Sequence, residues 1–166
     1  MSQTRRLTYS ALLISLSVVA TRFFSIQTPI VRIGFGGIPI ILVGLAFGPA
    51  WGFASGALAD LVGFFTFAQG SYFPGFTLTA GLVGTIAPWL LGKQRLSSSY
   101  GRLLLAVALS QVATSLLLDS YWLMLITGKT AALLLPVRAL NQLVMIPLIT
   151  SIVYGLRKVL SRYLID

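Results

Sequence analysis

Few side chains in this sequence can do chemistry, and their types narrow what that chemistry is. Twelve Lys and Arg stand against three carboxylates, Asp60, Asp119 and Asp166, with no His and no Cys. The commonest general base, the thiolate nucleophile and the usual soft metal ligands are therefore missing, and no disulfide can form. Nor is there a G-x-x-x-x-G-K-[ST] loop, a dinucleotide fingerprint or an H-E-x-x-H pair. The reading is of a protein that is not an enzyme and has no cofactor or metal of its own.

The remaining polar groups suit binding. Arg22 at the end of the first apolar stretch, Arg32 in the loop after it, Lys129 in the turn before the sixth and Arg138 at its start fall on one side, where they could form one rim. Guanidinium groups grip carboxylates in a two-pronged fork, so such a rim fits a ligand bearing carboxylates. Snorkelling to interfacial water or phosphate headgroups is the competing role. Asp60 lies inside an apolar stretch, where an ionisable group is costly and marks a candidate site; pairing with an arginine is the alternative. Phe64 follows it at four-residue spacing on the same helical face. Around a Pro-Gly turn in the loop that ends at Thr77, the rings of Tyr72, Phe73 and Phe76 could stack on a flat ligand or cover a pocket, or belong to an interfacial aromatic belt. Asn141 and Gln142, one turn past Arg138, favour a polar cavity. Asp119 could balance Arg138.

Elements must hold these groups, and composition says which kind. The chain is 57% hydrophobic and 9% charged, far from the roughly one-quarter charged residues of soluble domains. With roughly 20 apolar residues per crossing, 166 residues accommodate about six spans and no second domain. The first runs from Leu7 to Ile26 and is retained, because Arg22-Phe23-Phe24 replaces a small-residue cleavage site. Gln27 to Gly37 is a loop. The 31 apolar residues from Ile38 to Ala68 are too long for one crossing and break at Gly48-Pro49, leaving a short second helix and a third from about Trp51 to Phe67. Gln69 to Gly75 is a loop, Phe76 to Leu91 the fourth span and Lys93 to Arg102 a basic connection. Leu103 to Ile126 and Leu133 to Leu156 are the fifth and sixth, the latter interrupted by Pro136 and Pro147. The fold class is an all-α integral membrane bundle of six transmembrane helices.

Six crossings put both termini on one side, together with Arg5, Arg6, Lys93, Arg95, Arg102, Arg157, Lys158 and Arg162. Only the four rim cations lie opposite, so the positive-inside rule makes the termini cytoplasmic. The same rule accounts for the net charge of +9 without nucleic acid. Small residues recur at four-residue spacing: Ala11 and Ser15, Gly52 and Gly56, Ala80 and Gly84. They let helices approach closely, within the bundle or, for Ala11 and Ser15, against another chain.

The segments TRFFSIQTPIVRIGFGGIPIILVGLAFGPAWGFASGALAD (ending at Asp60), FPGFTLTAGLVG (Phe73 to Gly84) and LPVRALNQLVMIPL (Leu135 to Leu148) together resemble the folate-specific S components of energy-coupling factor transporters. The resemblance covers most of the chain. It implies a six-helix protein of the bacterial cell membrane that captures folate from outside and joins a transmembrane coupling subunit and two cytoplasmic ATPases, through which alone ATP enters. It implies that the 1–2 and 3–4 loops gate the site, that Arg22, Arg32 and Arg138 meet carboxylates, and that Asp60, Phe73 and Phe76 meet the pterin. Ala11 and Ser15 match a small-residue pair, usually two alanines, that contacts the coupling subunit. An S component for another vitamin or a pyrimidine precursor, a ligand-free structural subunit and a solitary ion-coupled transporter are the alternatives.

Overall fold

The computed structural model describes residues 3–27, 32–67, 72–128 and 130–165. Lys129, the loop stretches 28–31 and 68–71, and the side chain of Arg32 lie outside the described residues. Helix α1 spans Gln3–Phe23, α2 Gly37–Phe47, α3 Pro49–Thr66 and α4 Pro74–Leu91. A 3-10 turn at Gly92–Gln94 leads towards α5, Tyr100–Gln111, which continues through a π-helical stretch, Val112–Leu118, into α6, Asp119–Thr127. Helix α7 is Ala131–Ile165. With α5, the π stretch and α6 counted as one rod, the bundle has six.

Most boundaries follow from local chemistry. Gly48 takes φ 111°, a conformation that L side chains resist, and Pro49 opens α3 where its missing N–H costs nothing. The chain therefore reverses between two helices that the apolar run alone would join. Two features differ from the sequence expectation. Ile26–Gln27 and Arg32–Ile33 form a short antiparallel ladder, β1 and β2, pairing Ile26 with Ile33 and Gln27 with Arg32. Helix α7 also continues through Pro136 and Pro147 and well past Leu156; proline removes one helical hydrogen bond, which neighbouring groups in a bundle can absorb.

The rods from Pro74 to Gln94, Tyr100 to Thr127 and Leu134 to Ser161 are each long and apolar enough to cross a membrane. Helix α2 is apolar but only 11 residues long, about 16 Å at roughly 1.5 Å per residue. It is apolar all round because it is surrounded: Ile38 to Leu45 are buried throughout, and Ile41 and Leu45 pack with Leu103, Val107, Ile149 and Val153 in the main core. The exterior is apolar too. Phe65 (76% exposed), Leu143 (71%) and Trp89 (70%) face outward, which water would penalise and lipid would not.

Helices α2, α3 and α4 meet almost backbone to backbone. A Cβ added at Gly52 would lie 2.0 Å from the Gly84 carbonyl oxygen, one at Gly56 2.1 Å from the Ala80 oxygen, and one at Gly44 2.2 Å from the Gly84 oxygen. The small residues picked out on the third and fourth helices thus pair with each other. This seam fixes α3, and with it Asp60. With an even number of rods, the two ends of the described chain share one end of the bundle, and Phe24, Gly36, Phe67, Phe73 and Gly128, which flank the helices, lie at the other, the mouth end.

Candidate ligand cavity

Between α1, α3, α4, the π rod and α7 lies a cavity of about 180 Å³ that reaches the mouth end. One wall carries Arg22, from the last turn of α1, and Asp60 and Gly63 from α3. The Arg22 guanidinium runs beside Gly63, where an added Cβ would meet Nη2 at 3.5 Å. Its Nε is buried without a hydrogen-bond partner. Among the described residues no ion pair links it to Asp60, so both charges keep capacity for something else.

Asp60 is held from α4. The Thr77 hydroxyl donates to Asp60 Oδ2 at 2.7 Å, and Tyr72 Oη lies 3.0 Å from Thr77 Oγ1. A threonine has one proton to give, so Tyr72 donates to Thr77 and the relay ends on the carboxylate. The second carboxylate oxygen remains available to a ligand N–H. Tyr72 in turn packs on Phe64, ring centroids 5.2 Å apart, so Phe64 acts behind the relay and does not line the cavity.

Phe76 lines the cavity; Phe73 stands behind it, 5.9 Å away in an edge-to-face pair, and packs on Trp122 at 5.4 Å. The indole N–H of Trp122 donates to Thr79 at 3.2 Å. Gly75 makes this possible, since a Cβ there would sit 2.7 Å from the indole ring. Trp122 went unnoticed in the sequence, where an aromatic near a helix end looks like any belt residue. The segment that leads into α2 is fastened to α1: Ser17 donates to the Gly36 carbonyl at 2.6 Å, and Gly36 has no room for a Cβ against Thr21.

The opposite wall is polar as well. Gln111, Ser115 and Asp119 line it from the π rod, and Asn141 and Gln142 from α7. A π-helix turns more slowly per residue than an α-helix, so side chains four apart stay nearly in line. The four-residue spacing of Gln111, Ser115 and Asp119 is the sequence signal for this polar stripe. Arg138 does not line the cavity. It is buried at 7% exposure, with Nη1 donating to the Ser115 carbonyl at 2.9 Å and to Ser120 Oγ at 3.1 Å. Ala11 and Ser15 lie exposed on α1, where the Ser15 hydroxyl is turned back onto the Ala11 carbonyl at 3.0 Å, leaving a smooth small-residue surface.

The family model described as ECF transporter, substrate-specific component, matches residues 5–157. The chain belongs to this family of S components. Folate transporter FolT of Clostridium novyi (strain NT) is 38% identical over 98% of this chain and 93% of its own length. Folate transporter FolT of Leuconostoc mesenteroides is 26% identical over 92% of this chain and 84% of its own. Among solved structures, a crystal structure of FolT bound with folic acid superposes with a TM-score of 0.85 at 33% identity, covering 95% of this chain and 96% of that one. A second S component of a bacterial ECF transporter has a TM-score of 0.71 at 18% identity over 98% and 99% of the two chains; it supports the fold. This S component is thus a transporter subunit with the six-rod architecture of its family.

Proposed function

We propose that this S component is the folate-binding subunit of an ATP-driven importer in the bacterial cell membrane. The observation that carries the reading is the joint presence in one cavity of Arg22, with a buried Nε free of partners, and Asp60, with one oxygen engaged. A ligand that satisfies both carries anionic oxygens and heterocyclic N–H groups, and folate carries both. The two relatives named as folate transporters and the solved FolT bound with folic acid support the choice among such ligands.

In this reading Arg22 takes a carboxylate of the glutamate tail near the mouth, assisted by Arg32 from the β1–β2 hairpin. Asp60, held by Thr77, accepts N–H groups of the pterin. Phe76 offers a ring face, with Phe73 supporting it, and Asn141 closes the polar side. Arg138 acts on the ligand through the π rod, holding Ser115 and its neighbours in place. The 1–2 and 3–4 loops, Gln27 to Gly37 and Ala68 to Gly75, act as the gate over the ligand. The whole chain acts as one membrane domain with cytoplasmic termini, neither catalyses a reaction nor binds nucleotide, and presents Ala11 and Ser15 to a transmembrane coupling subunit that works with two cytoplasmic ATPases.

Retention of tritiated folate by the purified chain tests this reading. Folate is expected to be retained and displaced by unlabelled folate, not by thiamin or riboflavin. Retention of another vitamin with no retention of folate at micromolar ligand would remove folate from the account.

A further inference from the structure

Beyond Arg22 and Asp60, the cavity contains two carboxamides that nothing above employs. Gln142, on α7, is 6% exposed, and Gln111, where α5 enters the π stretch, is 8% exposed. Both line the cavity. Gln142 Oε1 is buried with no partner, and neither side chain hydrogen-bonds to another described residue. A carboxamide has two N–H donors and an acceptor oxygen, and burying it unsatisfied is costly. Two such groups on separate helices, turned to one cavity and not paired with each other, are poorly explained as a packing device, because a structural pair would bond across the gap.

Their depth identifies the partner. Gln142 lies about 16 Å along α7 from Ala131 at roughly 1.5 Å per residue, whereas Arg22 is at the mouth end of α1. Past the carboxamides the cavity is lined by the apolar Met145 and Ile149. No cation lines that inner end among the described residues, so a carboxylate there would be desolvated without compensation. A neutral edge with alternating N–H donors and ring-nitrogen or carbonyl acceptors would satisfy both amides.

We infer that Gln142 and Gln111 are binding residues that read the polar edge of the heterocycle, which seats innermost while the ligand's carboxylates remain at Arg22. The inference rests on the folate reading and assigns two residues to it. Either amide oxygen or nitrogen can turn to the ligand, since a carboxamide rotates about its last torsion to suit.

The test uses the full chain and the variants Gln142→Met and Gln111→Met, each keeping length while losing hydrogen bonding. Tritiated folate is displaced by unlabelled folate, by pteroate, which keeps the heterocycle and lacks the glutamate, and by p-aminobenzoyl-glutamate, which keeps the glutamate and lacks the heterocycle. Each variant is expected to bind folate and pteroate about tenfold more weakly, with p-aminobenzoyl-glutamate unchanged. Gln142→Met without ligand is expected to melt no lower than the parent, because an unsatisfied oxygen has been removed. Unaltered folate and pteroate affinities in both variants would overturn the inference. So would a fall in ligand-free melting temperature with equal loss for all three competitors, the signature of a structural role. If the parent chain itself retains no folate, the folate reading fails first and this assignment with it, which parent binding distinguishes from failure of the variants alone.

Discussion

The seam where α2, α3 and α4 meet and the wall where the π rod meets α7 are both helix contacts in one bundle, yet they are built on opposite rules. At the seam Gly44, Gly52, Gly56 and Gly84 bring backbones so close that no Cβ fits, and the Thr85 hydroxyl there is turned onto the helix backbone. At the wall Gln111, Ser115, Asp119, Asn141 and Gln142 keep the helices apart around a cavity. The seam stabilises by close packing, the main attraction available between helices in lipid. Within the wall Gln111 and Gln142 keep polar capacity in reserve, which is worth its cost only if something arrives to use it. One side of the bundle is the fixed reference against which the other holds a ligand.

Breaking that contrast should give effects of graded size. Gly84→Leu drives a side chain into the Gly52 backbone and the Ile40 side chain; a cost on the order of 3 kcal/mol or more is expected to abolish the monodisperse peak in size-exclusion chromatography. Binding variants should leave that peak intact. Asp60→Asn is expected to weaken folate roughly tenfold to hundredfold, through a lost charged hydrogen bond of about 1.5 to 3 kcal/mol; unchanged affinity by titration calorimetry would remove Asp60 from the site. Arg22→Gln should weaken folate and p-aminobenzoyl-glutamate alike by about tenfold, as read by displacement of tritiated folate. Gly155→Ala marks the bottom of the scale. Nothing lies within 4 Å of a Cβ there, so a helix-interior gain of roughly 0.5 to 1 kcal/mol should raise the melting temperature slightly and leave folate affinity unaltered.

The seam was the more legible of the two regions in the sequence. Small residues four apart, the Gly48-Pro49 break and an overlong apolar run are local signals with one physical reading each. The wall was harder. Arg138 looks in sequence like a rim cation, but its helix turns it to the Ser115 carbonyl in the π stretch and to Ser120 just beyond it. Nothing in VATSLLL announces a π register, because the register reflects how neighbouring rods pack and not a local propensity. Thr77 was picked out as part of the aromatic loop, and its contact is with Asp60 on α3, an encounter set by the glycine seam. Gln111 carries a sequence signal only in its four-residue spacing to Ser115 and Asp119, and that spacing does not show that Gln142, on a distant segment, lines the same cavity.

The most direct measurement is a structure of this S component determined with folate. The account predicts ligand in the cavity, with its carboxylates at Arg22, its heterocycle within hydrogen-bond reach of Asp60 Oδ1 and the two carboxamides, and the α2–α3–α4 seam unchanged. An empty cavity at saturating folate, or carboxylates at Gln111 and Gln142 with the heterocycle at the mouth, would contradict it.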